Sequence, residues 1–382
     1  MKTPMTSRLF EKKIDEKSGV PIYILKKRVA DYQQGFYFIN NSMTVDGRYL
    51  WFMTATNPIY NGSYRNLAFI DFERDEVFVC YDTIFSSASP FVDPDTGTVY
   101  YTWGRCVYKR EPDPDKKAEL VCTVKVDGAV NFLATHLTRT SDKKHFFLDI
   151  RAGNHRFIQG LVNIENGEFE KWAQSWYNTN HGQINPKDDT LALCAYDSCI
   201  DLDTGEKIGI PKNEEGIYER LWLVTKDGKR TMLPPKNNYA THEWWSADGK
   251  KVYYCSDNYG IYRLDLTNGE HICLLECDPW HAFTTKDERY IVWDEKKLER
   301  YGGKWYRGCP SAVNLLDTKT GKQLVIVTEN PENGHTPANP NNYHIDPHPR
   351  FTENEEYIVF TTTGCGYPNL AVASVKELIG MM

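Results

Sequence analysis

The sequence predicts an all-β protein, a seven-bladed β-propeller, and two observations support that prediction. Short runs of alternating apolar and polar residues, rich in Tyr, Val, Ile and Phe, fill the chain between Asp-Gly, Asn-Gly and Thr-Gly turns, whereas long helical periodicity is scarce. The chain also contains an internal repeat, and repeats of about 40–45 residues with four strands each are typical of propeller blades. The length of 382 residues is ordinary for one such propeller.

Each repeat begins with a head residue, passes through an Asp-Gly-like turn and reaches an apolar strand ten residues after the head. Five copies align without a gap, a sixth has Asn at its head, and a seventh, near Ala88–Pro90, needs one inserted residue. The aligned heads are Asn40, His136, His181, His242, His281 and His348. Insertions lengthen the repeats around residues 204–219, 294–310 and 329–343, and insertions in such arrays map to loops on one face, often the binding face.

The last repeat, from residue 348 onward, contains only three predicted strands. Its missing outer strand is predicted to be Pro21–Leu25, donated by the N-terminal part of the chain, which would close the ring and cover an open sheet edge. We therefore expect residues 21–382 to form a single propeller domain and residues 1–20 to be a polar, peripheral extension.

The composition constrains partners and compartment. The formal net charge is −7, from 45 Lys and Arg against 52 Asp and Glu, so we expect no nucleic-acid partner, for which a basic excess is typical. No apolar run approaches the ~20 residues that a membrane helix needs, and no signal peptide is recognisable. The ten cysteines form no Cys-x-x-Cys pair, and several lie inside apolar runs. These features predict a cytoplasmic protein without membrane contact, and they leave its oligomeric state open.

The five head histidines form a column in the repeat. Equivalent positions of different blades lie on a ring around the central channel, and the heads of the innermost strands lie nearest to it. We therefore expect these histidines to converge at one mouth of the channel. The alternative is that the repeat copies a histidine that merely caps a turn in each blade. Because the first two heads are not histidine, blade formation does not require one, which favours a site.

A second histidine pattern lies just before the last head. His344, Asp346 and His348 recur at every second residue, a spacing that places all three side chains on one face of an extended strand. Two imidazoles and a carboxylate on one face can hold a divalent cation. The alternative is a polar loop with two unremarkable histidines.

Five motifs follow one another along the chain: His181-Gly-Gln-Ile-Asn-Pro, Arg220-Leu-Trp222, His242-Glu-Trp-Trp, Trp280-His281-Ala-Phe and His348-Pro-Arg-Phe. In their order and spacing the chain resembles the oligogalacturonate lyases, seven-bladed propeller enzymes of polysaccharide lyase family 22. The resemblance covers roughly residues 21–375 and is specific in the order of the motifs.

The resemblance implies a Mn²⁺ ion, which the family holds with histidines and a glutamine at the channel mouth. By position, His281 and His348 match metal ligands, and Asp346 stands where the family has a further histidine. This change of ligand leaves the ion itself open, so that another divalent cation such as Ca²⁺ remains an alternative.

The remaining family positions also fall on identifiable residues. The glutamine ligand of the family falls near Tyr343, with His344 or Asn342 as alternative replacements. Arg220 and His242 match the catalytic pair of the family. The sequence does not decide which residue supplies the fourth ligand.

The implied reaction is β-elimination in a short, anionic uronate oligosaccharide, in which a base removes the C5 proton and the C4–O bond breaks. A divalent cation on the carboxylate favours this chemistry, and histidine suits the base at neutral pH. We expect His242 to be the base and Arg220 to bind a carboxylate or stabilise developing charge. His136 and His181 could act as an acid or bind the sugar, and Trp244 could stack on a sugar ring or fill the core. The expected substrate-binding set is His136, His181, Gln183, Trp244 and Arg350.

Other functions remain open at this stage. A lyase for another uronate, such as a glucuronate-containing oligosaccharide, is one alternative, and a non-catalytic propeller scaffold is another. The scaffold hypothesis predicts no bound metal. A glycoside hydrolase would need two carboxylates flanking the bond, for which Glu219 and Glu243 are the candidates. The sequence does not distinguish endo from exo action.

Overall fold

The computed structural model describes residues 1–55, 64–85, 90–153, 156–200, 206–234, 239–256, 259–296, 309–331 and 345–382. Within these ranges the strands form seven antiparallel sheets, and the sheets are the blades of a β-propeller. The predicted fold class is confirmed.

The strands follow one another around the ring, so that most blades use consecutive strands. The chain begins with two strands that belong to the last blade, β1 (Phe10–Ile14) and β2 (Pro21–Leu25). The first blade contains β3 (Tyr32–Gln34), β4 (Tyr49–Ala55), β5 (Arg65–Asp71) and β6 (Glu76–Phe85). The second contains β7 (Phe91–Val92), β8 (Val99–Trp103), β9 (Cys106–Arg110) and β10 (Glu119–Thr123).

The third and fourth blades each have an additional short strand. The third contains β11 (Val130–Phe132), β12 (Thr138–Arg139), β13 (His145–Ala152), β14 (Arg156–Asn163) and β15 (Phe169–Ser175). The fourth contains β16 (Tyr177–Ile184), β17 (Leu191–Ile200), β18 (Lys207–Gly209), β19 (Leu221–Thr225) and β20 (Arg230–Met232). In both blades the extra strand pairs with the second long strand, β13 or β17.

The remaining blades complete the ring. The fifth contains β21 (Ala240–Trp245), β22 (Lys251–Ser256), β23 (Gly260–Asp265) and β24 (His271–Leu275). The sixth contains β25 (Pro279–Thr284), β26 (Tyr290–Lys296), β27 (Ser311–Asp317) and β28 (Gln323–Asn330). The seventh contains β29 (Arg350–Phe351), β30 (Tyr357–Thr362) and β31 (Asn369–Ser374), followed by the helix α1 (Val375–Met381).

The hydrophobic core lies between adjacent blades. One cluster joins Val292 and Leu315 of the sixth blade to Ile358 of the seventh, together with Ile22 and Ile24 from β2. Because the middle strands are covered on both faces, they are apolar along their whole length, and every residue of β30 is buried. This packing fixes the innermost strands, and therefore their head residues, around the channel.

The N-terminal strand closes the ring as predicted. β2 pairs antiparallel with β31, with Ile24 opposite Ala371. The segment 1–20 was expected to be a peripheral extension, but part of it belongs to the propeller. The strand β1 pairs with β2, and Leu9 and Phe10 are buried in a core cluster. The boundary of the domain at residue 21 stays a prediction.

Truncation of a closing side chain is expected to destabilise the whole propeller. Ile24 is 3% exposed, so Ile24→Ala should lower the free energy of unfolding by about 2–4 kcal/mol, measured by urea denaturation. Ile14 in the outermost strand β1 is 52% exposed, and Ile14→Ala serves as the matched control with a change below about 0.5 kcal/mol. Equal effects of the two substitutions would contradict closure through β2.

The helix α1 begins after Ser374, whose side chain accepts a hydrogen bond from the backbone N–H of Glu377. Its buried residues, Val375 and Leu378, join the same core cluster as β30. Across the described ranges, no helix is long and apolar enough to span a membrane.

Candidate metal and catalytic site

Irregularities in the innermost strands aim the head histidines into the channel. The pairing register shifts within β16, β21 and β25 at the positions of His181, His242 and His281. A bulge of this kind adds an unpaired residue and re-aims its side chain. His181, His242 and His348 also have positive φ angles of 54°, 48° and 48°. Non-glycine residues rarely adopt this left-handed conformation, and it is found preferentially at functional sites.

The structure brings the five head histidines together. Consecutive imidazole rings lie 5.3 Å (His136 to His181), 6.0 Å (His181 to His242), 4.2 Å (His242 to His281) and 4.2 Å (His281 to His348) apart, centre to centre. We call these five side chains the histidine ring. Residues from five blades therefore form a single site.

Tyr37 lies inside the histidine ring. Its aromatic ring is 4.5 Å from that of His136, in a stacked arrangement, and 4.8 Å from that of His348. The remaining three ring histidines lie 5.5–6.4 Å from it. Burial, reinforced by the charge of Glu243, raises the pKa of the Tyr37 hydroxyl well above its usual value, so the group stays protonated. Sequence reasoning missed Tyr37, although an aromatic triplet, Phe36–Phe38, directly precedes the head region of the first blade.

Three of the four predicted metal ligands lie close together. His281, Asp346 and His348 are all buried, and each offers one ligand atom within 4.8 Å of the others. We call these residues the metal triad. Two imidazole nitrogens and a carboxylate oxygen are a donor set that fits a divalent transition metal. The fourth predicted ligand, His344, lies outside the described residues, as do Asn342 and Tyr343.

Asp294, which sequence reasoning also missed, supports the metal triad. Its Oδ2 lies 2.9 Å from His281 Nδ1, and its two oxygens accept hydrogen bonds from the backbone N–H groups of His281 (2.6 Å) and His348 (3.2 Å). A carboxylate at Nδ1 leaves Nε2 of His281 as the ligating nitrogen. Burial lowers the pKa of His281 well below its usual value, which keeps the imidazole in the neutral form that binds metals. Burial also raises the pKa of Asp294 to about 7.

Loss of this carboxylate is expected to weaken metal binding without removing a ligand. Asp294→Asn should reduce Mn²⁺ affinity about 10- to 100-fold, measured by isothermal titration calorimetry. Asp149→Asn is the matched control, because Asp149 occupies the same repeat position in the third blade and accepts hydrogen bonds from Thr135 and Gly182 instead. Unchanged affinity in Asp294→Asn would contradict this role.

The two residues expected to be catalytic, His242 and Arg220, are both buried. His242, a member of the histidine ring, also packs against Trp280, and the centres of the two aromatic rings are 4.5 Å apart. Arg220 is 2% exposed, donates a hydrogen bond to the carbonyl oxygen of Tyr196 (2.7 Å) and lies 3.7 Å from a carboxylate oxygen of Asp197. Burial lowers the pKa of Arg220, but neighbouring negative groups outweigh it and raise the pKa, so the guanidinium stays charged.

His181 has a carboxylate partner from the next blade. Glu243 is fully buried, and its Oε1 lies 3.1 Å from His181 Nδ1. Burial raises the pKa of Glu243, but the charges of His181 and Arg220 outweigh this effect and hold the pKa below its usual value. Glu243 is therefore an ionised carboxylate engaged with a histidine, which does not match the pair of free carboxylates that a glycoside hydrolase needs.

Three residues expected to bind substrate line a separate cavity of about 600 Å³. Gln183 donates to the main-chain oxygen of Glu243 (2.9 Å), and Trp244 Nε1 donates to Thr284 Oγ1 (3.2 Å). Arg350 donates to the carbonyl oxygen of Phe38 (3.0 Å). Among the described residues that line this cavity, none belongs to the histidine ring. Their assignment as substrate-binding residues stays a prediction.

Fold and site together define a seven-bladed propeller whose channel holds a histidine ring and a metal-capable triad. The chain is similar to the oligogalacturonide lyase of Pectobacterium atrosepticum (24% identity) and to the oligogalacturonate lyase of Dickeya dadantii (25% identity). Each alignment includes 57% of this chain and 55% of the relative, so the chain spans about half the length of the curated relatives it matches. No protein-family model matches the chain.

Two solved structures share the fold. An oligogalacturonate lyase in complex with manganese has a TM-score of 0.72 and 18% identity, with 97% of both chains covered. An oligogalacturonate lyase from Vibrio parahaemolyticus also has a TM-score of 0.72, with 17% identity and 96% of both chains covered. The resemblance inferred from the histidine motifs is thereby confirmed.

Proposed function

We propose that the protein is a metal-dependent lyase that cleaves short uronate-containing oligosaccharides, oligogalacturonate foremost, by β-elimination. The observation that carries the proposal is the metal triad next to His242 in the channel, with His281 and His242 rings 4.2 Å apart. This arrangement occurs in a chain similar to proteins named as oligogalacturonate lyases. The product would carry a 4,5-unsaturated uronate.

The metal triad supplies the ligands in this proposal. His281, Asp346 and His348 would hold a divalent cation, and Mn²⁺ is favoured because a structural relative is a complex with manganese. When bound, such a cation neutralises the substrate carboxylate and stabilises the negative charge that forms as the C5 proton leaves. The harder carboxylate donor in place of a family histidine keeps Ca²⁺ as an alternative.

His242 takes the C5 proton in this mechanism. A neutral imidazole at this place is a suitable base near pH 7 and typically contributes about 10²- to 10⁴-fold to the rate. Arg220, buried and charged, binds a substrate carboxylate through its planar guanidinium. Tyr37, whose ring lies 4.5–6.4 Å from every imidazole of the histidine ring, would lie beside the reacting sugar.

The compartment and substrate size follow from the same proposal. Cys80, Cys194 and Cys255 are buried free thiols, which suits a reducing, cytoplasmic location. An enzyme there would act on small, imported, anionic oligosaccharides. Because Asp346 replaces a family histidine, a lyase for another uronate, such as a glucuronate-containing oligosaccharide, is the second candidate.

The test is a direct assay of the elimination product. Digalacturonate and trigalacturonate are added with Mn²⁺ and then with EDTA, and absorbance of the unsaturated product is followed near ~235 nm. A rise that EDTA abolishes is the expected result. Metal binding without turnover would indicate that the substrate contains another uronate, which is tested with glucuronate-containing oligosaccharides. If the protein shows no turnover and binds no metal, the proposed function is overturned in favour of a non-catalytic scaffold.

A further inference from the structure

We propose that His181 is a second proton-transfer residue, which protonates the departing glycosidic oxygen, and that Glu243 is the positioning residue that orients it. This inference rests on the proposed lyase function and extends it to the second half of the reaction. The two residues belong to neighbouring blades, with His181 in β16 and Glu243 in β21. We call the pair the His181–Glu243 dyad.

The geometry of the dyad is that of a histidine held by a carboxylate. Glu243 Oε1 lies 3.1 Å from His181 Nδ1. The side chain of Glu243 is 0% exposed, whereas that of His181 is 13% exposed, so the accessible end of the dyad is the imidazole. With Nδ1 occupied by the carboxylate, Nε2 is the nitrogen that can meet a substrate.

The backbone also holds the dyad in place. Gln183 Nε2 donates a hydrogen bond to the main-chain oxygen of Glu243 (2.9 Å), which joins the two blades at this level. His181 itself sits in a bulge with a φ of 54°. A strained backbone conformation persists where surrounding structure enforces it, and such positions cluster at active sites.

The charge of Glu243 selects the function of its partner. An ionised carboxylate at Nδ1 accepts a hydrogen bond from the imidazole, which fixes the orientation of the ring and leaves Nε2 to donate a proton to the substrate. The groups that face His181 are Tyr37, His136, His242 and Glu243, with Arg220 acting on Glu243 through its charge. Of these groups, Glu243 is the acidic side chain in direct contact, so it is the group that orients the imidazole of His181.

The dyad completes the proton balance of an elimination. The C5–H bond breaks and its proton goes to His242, while the electron pair forms the C4–C5 double bond. The C4–O4 bond breaks with its electrons on O4, and O4 takes the proton from Nε2 of His181. The rings of His181 and His242 lie 6.0 Å apart, one as acid and the other as base. Exchange with solvent then restores both protonation states.

Glu243→Gln tests the proposal with little change in shape. We expect kcat to fall at least about tenfold with KM changed less than about threefold, because the lost interaction serves the transition state. The amount of bound Mn²⁺ should be unchanged. Glu168→Gln is the control, because Glu168 lies on the surface in an exposed ion pair with Lys125, and this variant should match the wild type.

A substrate with an acidic leaving group separates proton donation from mere packing. An aryl ether at C4 departs without protonation, so Glu243→Gln should lose little activity on it while losing activity on digalacturonate. If both substrates lose activity equally, or if kcat is unchanged, the proposal is overturned. Should Glu243→Gln fail to fold, His181→Gln at the partly exposed end of the dyad carries the same comparison.

Nitrogen NMR of the His181 imidazole tests the dyad without turnover. In the wild-type protein, Nδ1 should carry a proton that is hydrogen-bonded to Glu243, and the Nδ1 signal should change when this carboxylate is replaced in Glu243→Gln. Identical spectra in the two proteins would overturn the positioning role of Glu243. If the wild type shows no lyase activity but the spectra differ, the proposed function fails while the contact itself stands, so the two failures are distinguishable.

Discussion

His348→Gly is expected to abolish stable metal binding and to reduce lyase turnover by about 10³-fold or more. The substitution removes one of the three described donors of the metal triad, and a cation held by the remaining two lacks the ligand number that specific sites use. Glycine is chosen because His348 has a φ of 48°, a conformation that glycine adopts without steric cost. The loss can therefore be attributed to the imidazole.

Metal content by mass spectrometry and product absorbance measure the two effects of His348→Gly separately. Asp294 keeps its hydrogen bond from the backbone N–H of residue 348 in this variant, so the support of His281 is preserved. His145→Ala is the control, because that half-buried histidine lies at the start of β13, outside the histidine ring. A His348→Gly protein that retains both Mn²⁺ and full activity would exclude the metal triad.

The fold was predictable because its signal is repeated. Six of the seven blades place an apolar strand ten residues after their heads, so weak local patterns reinforce one another along the chain. The closing strand Pro21–Leu25 was predictable for the same reason, since the last repeat lacked one. The strand β1 was not predictable from the repeat. Four of its five residues are exposed and three of these are charged, as is typical of an outermost strand.

The histidine ring was predictable, but its supporting residues were not. Equivalent repeat positions must lie around one axis, which makes the heads predictable. Asp294 and Glu243 instead contact histidines of neighbouring blades, and Tyr37 does not stand at a head position of the repeat. One signal was available: Asp294 stands thirteen residues after its head inside an apolar strand, and Asp149 stands at the same position in the third blade. A charged residue in such a strand requires a buried partner.

Geometry along the strand explains why the polar neighbours of the heads lie elsewhere. Gln183, Trp244 and Arg350 stand two residues after their head histidines, and two residues of extended chain span roughly 6–7 Å. That displacement carries them along the channel wall to the separate cavity of about 600 Å³. Sequence adjacency to a head therefore did not imply membership of the histidine ring.

His242→Asn is expected to reduce kcat by about 10²- to 10⁴-fold while leaving the metal in place. Asparagine tolerates the left-handed backbone that His242 adopts, at a φ of 48°, and it cannot accept the C5 proton. His242 is not a member of the metal triad, so Mn²⁺ content should equal that of wild type.

The companion variant His136→Asn separates the base from the rest of the histidine ring. His136 stacks on Tyr37 at 4.5 Å and is expected to bind substrate, so its loss should raise KM more than it lowers kcat. Wild-type kcat in His242→Asn, or a fall in kcat that follows metal loss, would show that another group removes the proton. Because His181 lies outside the metal triad and has an acidic partner, it would then be the residue to test as the base.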